Sequence, residues 1–504
     1  MRTWQLTVEL HTESGLPLFL QIARAIVGDI RRGRLRPGEA LPGSRTLARM
    51  VGVHRNTVLA SYSELVAEGW VRTEIGGGTF VSSELPIRAA TAATTLRTPP
   101  RALAATTPGF DLAAPIPYDR LPNYPPGMLL LAKGWPDVRL LPTVELARAY
   151  RRALVRDGHR LLTYGDSRGY PRLRAALAAM LSTARGISTS ADGIMVTRGS
   201  QMALDLVARA LVSPGDLVVC ESLGHPAAWS AFRLAGARLA AIPVDTGGMS
   251  IDALAELAGR ERIRAVLVTP HHQFPTTTVM PAARRHRLLE LARHHRFAII
   301  EDDYDHEFHY DGRPVLPIAS GDSAGLVVYV GTLSKILAPG LRAGFAVAPP
   351  PVIDRMTSLR VAADLQGDLA TEAAITGLFE TGELGRHVRR MRGIYLARRD
   401  ALVEQLRRHL GGAIECEVPS GGMALWARVS AGIEVDQWAG AGLTAGVAFR
   451  SGRLYDFADQ PQPFTRLGFT YHNEEELGEA VRRMARALDA LSRRSGNLVA
   501  AVSR

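Results

Sequence analysis

Lysine is nearly missing from this chain. Of 60 lysine and arginine residues among 504, only Lys133 and Lys335 are lysine. A guanidinium stays protonated and does not condense with an aldehyde at neutral pH. A chain that has drifted so far toward arginine therefore keeps lysine mainly where an amine does chemistry, or by accident. Cysteine is equally scarce: Cys220 and Cys416 exclude a disulfide framework and a CxxC zinc site. No stretch approaches the ~18 uninterrupted apolar residues of a membrane-spanning helix. Met1 to Ser14 carries Arg2, Glu9 and Glu13 and so lacks the apolar centre of a signal peptide. A reducing, cytoplasmic setting without a membrane partner is the expectation.

What is present is apolar and basic. Hydrophobic residues make up 46% of the chain, enough for a large core, and the length predicts two or three compact units. The formal net charge of +11 points to an anionic partner without naming it, and spread over this much surface it also serves solubility.

Composition changes along the chain mark the domains. Residues 11–82 are Arg-rich and densely patterned, whereas 83–126 run through Ala, Thr and Pro and predict an interdomain linker. From 127 to 490, helical stretches alternate with apolar runs at Ile194–Thr197, Leu217–Cys220, Ala265–Thr269, Phe297–Ile300, Val327–Val330 and Ala343–Val347. That alternation predicts an α/β domain with a mostly parallel sheet. A smaller C-terminal subdomain is expected from about 385, with a helix end near Asp489 and a tail over 491–504.

In the first zone Leu18, Ile22, Ile26 and Ile30 recur every four residues, the stripe of a first helix. Ser44 is the expected N-cap of a short second helix carrying Leu47 and Val51, and Gly52 makes the turn that follows. A third helix starts near Asn56, with Val58, Tyr62, Leu65 and Val66 expected to face the core. Trp70–Val81, centred on Gly76-Gly77-Gly78, predicts a two-stranded wing. Two helices joined at a glycine turn place the second in the DNA major groove, its N-terminal residues nearest the bases. His54, Arg55, Asn56 and Thr57 occupy that position, and eight arginines between Gln21 and Arg55 outnumber Asp29 and Glu39.

Lys335 stands in Gly331-Thr332-Leu333-Ser334-Lys335, directly after a strand-like run, and Arg342 follows seven residues on. Hydroxyls and an arginine beside a lysine suit an aldehyde cofactor that carries a phosphate. The acidic run Glu301-Asp302-Asp303-Tyr304 ends another buried strand and offers a partner for a ring nitrogen. Gly199-Ser200-Gln201 opens a helix after a strand, so backbone N–H groups face an anion there. Lys133, flanked by Ala132 and Gly134, is expected at the surface. No ligand-spaced histidine pattern stands out, so no metal is expected.

Leu41-Pro42-Gly43-Ser44-Arg45-Thr46-Leu47-Ala48, Val51 to Val58, Glu68-Gly69-Trp70 and Gly78-Thr79-Phe80-Val81 closely resemble the winged helix of GntR-type regulators. The resemblance implies DNA contacts by Arg45, Thr46, His54, Arg55, Asn56 and Thr57, with the wing at Gly77 reaching the minor groove. His54 stands where that family usually has serine.

The stretch from Gly134-Trp135-Pro136-Asp137 to Arg466-Leu467-Gly468-Phe469 resembles fold type I aminotransferases, in particular the aminotransferase-like half of MocR/GabR-type regulators. It includes Tyr164-Gly165-Asp166, His272-Gln273-Phe274-Pro275 and the two motifs around Asp302 and Lys335. The resemblance implies pyridoxal 5'-phosphate as cofactor, with Lys335 as its Schiff-base lysine. Asp302 would pair with the pyridine nitrogen and Tyr304 with the ring hydroxyl. Gly199, Ser200, Gln201, Ser334 and Arg342 would hold the phosphate. Tyr164 would reach the phosphate of a neighbouring subunit, which implies a homodimer, and Arg466 would grip an effector carboxylate, with Arg453 as its rival. Two departures stand out. Glu221-Ser222-Leu223-Gly224-His225 replaces the usual Glu-x-Pro-x-Tyr, so either His225 is the stacking ring or that ring is missing, and Thr277 replaces a common glycine.

The reading that follows is a transcription regulator that binds double-stranded DNA at paired half-sites. It senses an amino compound, or the cofactor itself, by imine exchange at Lys335. The alternative is a working aminotransferase that carries a DNA-binding module.

Overall fold

The computed structural model describes residues 16–74, 77–86, 108–112 and 124–502, with side chains to 493. The chain divides into two compact units, Met1–Ile116 and Pro117–Arg504. The division falls inside the segment expected to link them. Most of that segment lies outside the described residues, as does Gly76 of the expected wing.

In the smaller unit, α1 (Leu18–Arg31), α2 (Ser44–Val51) and α3 (Arg55–Ala67) precede two antiparallel strands, β1 (Val71–Glu74) and β2 (Gly78–Val81). Ile22, Ile26 and Ile30 of α1 pack with Leu47, Val58, Tyr62, Leu65 and Val81 in one core. Gly52 ends α2 at φ 68°, the left-handed conformation that a residue without Cβ adopts at least cost. The Tyr62 hydroxyl donates to the Pro42 carbonyl at 2.6 Å and Ser61 to that of Phe19 at 2.9 Å, tying α3 to α1 and to the segment that enters α2. Two details depart from expectation. Ser44 is the first helical residue, after Gly43, and its hydroxyl accepts from Arg55 Nε at 3.2 Å instead of capping α2. Val66 is exposed, because Leu65 beside it takes the core-facing position and a helix turns about 100° per residue.

The larger unit is built on a seven-stranded sheet. Its order is Ile194–Thr197, Gly344–Val347, Val327–Thr332, Ala298–Asp303, Ile263–Val268, Leu217–Glu221 and Arg238–Ile242. All neighbours pair in parallel except those of Gly344–Val347, which runs antiparallel to both of its partners. Both faces are covered. Val218, Cys220, Ile300 and Val330 pack against Leu204, Phe232 and Met356 from helices on one side. Leu217, Val219, Val266 and Ile299 meet Leu254 and Leu288 on the other. Burial on both faces is why these strands read as continuous apolar runs. The strand missing from the expectation, Arg238–Ile242, is the half-exposed edge, where the short apolar run Leu239–Ile242 is half alanine.

The C-terminal part is α+β, as expected. A 28-residue helix, Glu383–Leu410, leads into a four-stranded antiparallel sheet of Ile414–Cys416, Ala424–Val429, Phe464–Gly468 and Arg450–Ser451. Arg398 of that helix makes a buried 3.0 Å ion pair with Asp137. The terminal helix Glu474–Val502 continues past Asp489, so no loose tail follows there.

Candidate functional site

The sheet delivers its chemical groups at the C-terminal ends of its parallel strands, where open α/β sheets bind ligands. Asp302, next to last in Ala298–Asp303, is buried, and its Oδ1 has no hydrogen-bond partner. Burial pushes its carboxyl up to about 7, with Asp303 and Asp305 adding to the rise and Lys335 opposing it. A carboxylate this poorly satisfied is matched by a ring N–H⁺ held against it. The Tyr304 hydroxyl is also buried without a hydrogen bond of normal geometry. Burial and Asp305 hold its phenol well above the ordinary range, so it remains a donor.

Lys335 follows the strand Val327–Thr332, and its Nζ donates to the Gly134 carbonyl at 3.0 Å. Burial lowers the amine to about 8, helped by the positive charges of Arg466 and Lys133 and opposed by Asp305 and Asp302. Near neutrality a usable fraction is therefore unprotonated and nucleophilic. Lys133 is not a plain surface residue. It is half-buried, its ammonium stands 5.4 Å over the Trp135 ring, and its charge bears on Lys335.

The phosphate-binding candidates converge on one turn. Gly199 lies between Ile194–Thr197 and the helix Ser200–Leu211 at φ 84°, ψ 168°, a region essentially reserved for glycine. A Cβ there would stand 2.7 Å from Arg342 Nη2, and Arg342 itself donates to the Arg198 carbonyl at 2.8 Å. Ser334 Oγ is buried and without a partner. Gln201 uses its side chain elsewhere, donating to the Ala227 carbonyl at 2.7 Å, so only its backbone N–H at the helix start suits an anion.

His225 directly precedes the helix Pro226–Leu234, and its ring centre lies 5.3 Å from that of Phe274. With Glu221, Thr269, Trp229 and Asp302 it lines one small cavity, so the stacking candidate and the acid candidate share a space. Glu221 had not been singled out as functional. Burial raises its carboxyl to about 7, and it accepts from Thr269 N at 3.1 Å and Oγ1 at 2.7 Å. Its sequence signals are its place at a strand end and at the head of Glu221-Ser222-Leu223-Gly224-His225. Thr277 takes the backbone of the glycine it replaces, at φ 64°.

Arg466, on the strand Phe464–Gly468, is buried with Nε unpartnered and lies 4.7 Å over Phe274. Its rival Arg453 is exposed and paired with Asp459 at 2.8 Å. Tyr164 does not join the site within this chain: it is 80% exposed, although the neighbouring Gly165 N–H is tied to Gln366 Oε1 at 2.6 Å.

On the smaller unit, Arg45, Thr46, His54, Arg55 and Asn56 are exposed at the starts of α2 and α3, and Thr57 is half-buried beside them. The His54 imidazole caps α3 through Asn56 N–H at 3.3 Å. Gly77 is exposed at the wing tip. One grouping escaped the sequence altogether: His271, His272 and His309 converge beneath the sheet's C-terminal edge.

The chain can now be set beside known proteins. The aminotransferase class I and II family matches residues 126–484, and the gntR family of bacterial regulatory proteins matches 18–81. The probable rhizopine catabolism regulatory protein MocR of Rhizobium meliloti is 32% identical over 482 residues, 96% of each chain. The chain belongs to the MocR family. The larger unit of this MocR-type regulator is similar to a multiple substrate aminotransferase from Thermococcus profundus. That structure is 33% identical, with a TM-score of 0.69 over 73% of this chain and 93% of the other. It is also similar to LysN, the α-aminoadipate aminotransferase of Thermus thermophilus, solved with N-(5'-phosphopyridoxyl)-L-leucine. There the identity is 30% and the TM-score 0.68 over 73% and 93% of the two chains. The MocR-type chain is accordingly a pyridoxal-phosphate-dependent, DNA-binding transcription regulator. Among the described residues, no helix is long and apolar enough to cross a membrane.

Proposed function

We propose that this MocR-type regulator senses an amino compound, or pyridoxal phosphate itself, at Lys335, and that occupancy changes how its winged helices engage paired half-sites. The observation that carries the reading is a set of buried, unsatisfied groups around one amine: Asp302 Oδ1, Tyr304 Oη, Ser334 Oγ and Arg466 Nε. When bound, pyridoxal phosphate supplies an aldehyde that an amine can hold as an imine, and a ring that withdraws electrons. Asp302 keeps a proton on the ring nitrogen, and Tyr304 donates to the ring hydroxyl. Gly199, Ser200, Gln201 through its backbone, Ser334 and Arg342 hold the phosphate, and His225 stacks on the ring. Arg466 orients a carboxylate of the incoming amine. Tyr164, exposed in a single chain, reaches the partner subunit's phosphate in a homodimer.

Sensing requires that the ligand bind two arrangements unequally, since equal affinity shifts nothing. Arg45, Thr46, Arg55, Asn56 and Thr57, with His54 and the wing at Gly77, make the DNA contacts. The test of the amine is borohydride reduction of the cofactor-loaded full chain followed by peptide mapping. The pyridoxyl group is expected on the peptide that contains Lys335, and a Lys335→Ala variant should retain none. Label on any other residue, or none in the wild type, sinks the assignment. Turnover of an amino donor to its keto acid would favour the aminotransferase reading instead.

A further inference from the structure

We propose that His271, His272 and His309 form a site for a borderline divalent metal of the zinc class, separate from the cofactor pocket and independent of the sensing reading. One ring nitrogen of each lies within 4.8 Å of one from each of the others. His271 and His272 follow the strand Ile263–Val268, and His309 follows Ala298–Asp303, so the sheet register brings the three together.

Their nitrogens are otherwise unexplained. Both ring nitrogens of His271, Nε2 of His272 and Nδ1 of His309 are buried without a hydrogen-bond partner, and His271 and His272 are only 2% and 1% exposed. Burying such an atom is unfavourable if nothing satisfies it. A metal ion satisfies one nitrogen of each ring together.

The surroundings are those of a ligand set. His272 Nδ1 is 2.8 Å from Asp305 Oδ1, the carboxylate–histidine pairing that fixes a tautomer and leaves Nε2 with its lone pair outward. His306 stacks on His271 at 4.4 Å and is itself held by Asp303 at 2.8 Å, which backs the cluster from behind. Gly421 faces it from the C-terminal part: a Cβ there would stand 2.3 Å from His272 Nε2, so only glycine leaves that nitrogen open. Gly421 also bridges to His309 as an antiparallel pair. A metal there would clasp two sheet loops at the segment that enters the strand Ala424–Val429.

Three imidazoles without a thiolate suit Zn²⁺, Co²⁺, Ni²⁺ or Cu²⁺ and leave one position open. A point equidistant from three nitrogens no more than 4.8 Å apart can lie within about 2.8 Å of each, so ring shifts of up to about 0.7 Å bring them to the ~2.1 Å of a metal–imidazole bond.

The experiment is a Co²⁺ titration of the chelator-treated full-length chain, read by visible absorbance and thermal midpoint. One equivalent per chain is expected, with d–d bands and a raised midpoint. His309→Ala and His271→Asn should each weaken binding at least ~100-fold, more than the 10–100-fold typical of outer-shell changes. Retention of the bound-cofactor absorbance in both variants shows that they fold. No stoichiometric binding by the wild type overturns the proposal. So does undiminished binding by the two folded variants, which would move the metal to exposed histidines such as His294.

Discussion

Gly199→Ala tests whether one turn organises the phosphate end of the site. At φ 84° and ψ 168° the alanine pays a backbone penalty of about 1–3 kcal/mol, because this region is essentially open to glycine alone. Its Cβ would also stand 2.7 Å from Arg342 Nη2 and 3.0 Å from Cζ, so the guanidinium must withdraw and give up its bond to the Arg198 carbonyl. One hydrogen bond between Arg342 and a phosphate contributes about 1.5–3 kcal/mol, so cofactor affinity should fall roughly ten- to a hundredfold. Cofactor titration followed by absorbance at fixed pH measures this, beside Arg342→Ala and the double variant. Because the effect runs through Arg342, the double variant should bind no worse than Arg342→Ala alone. Unchanged affinity in Gly199→Ala, or additive losses in the double variant, refutes the reasoning.

Thr277→Gly should raise the thermal midpoint. It relieves about 1–3 kcal/mol of left-handed strain at a β-branched residue and gives back about 0.4–1 kcal/mol in unfolded-chain entropy; a lower midpoint contradicts the strain. Arg55→Ala should weaken binding to the cognate operator by about 1–3 kcal/mol at matched salt, measured by fluorescence anisotropy. Equal loss on unrelated DNA would make Arg55 a phosphate contact instead. The lowered Lys335 amine fixes a pH dependence: below about 8 the neutral fraction drops tenfold per pH unit. The rate of cofactor attachment should therefore rise about tenfold from pH 6 to pH 7 and level off above 8. A flat stopped-flow profile over that range speaks against Lys335 as the nucleophile.

The DNA-reading unit was legible almost to the residue, because its signals are local: four-residue spacing in α1, a glycine at the turn, a basic helix start. The exceptions at Ser44 and Val66 are one-residue matters of phase, which periodicity fixes poorly. Buried strands announced themselves by runs of large apolar side chains, and the half-exposed edge strand Arg238–Ile242 did not, since its run Leu239–Ile242 is short and half alanine. The fold puts Asp302 and Lys335 at the sheet's C-terminal edge because Asp302 is next to last in one strand and Lys335 follows shortly after another. Long-range facts were invisible. Nothing adjacent to Lys133 marks it as a neighbour of Lys335, and no spacing rule joins His271 and His272 to His309 across the sheet.

The most direct test of the account is a nuclease footprint of the full-length chain on the DNA upstream of its own gene, with and without pyridoxal phosphate, for the wild type and Lys335→Ala. A discrete protected site is expected in the wild type, altered by the cofactor, with the alteration lost in Lys335→Ala. Protection indifferent to the cofactor, or an equal response in the variant, would contradict a regulator that works through Lys335.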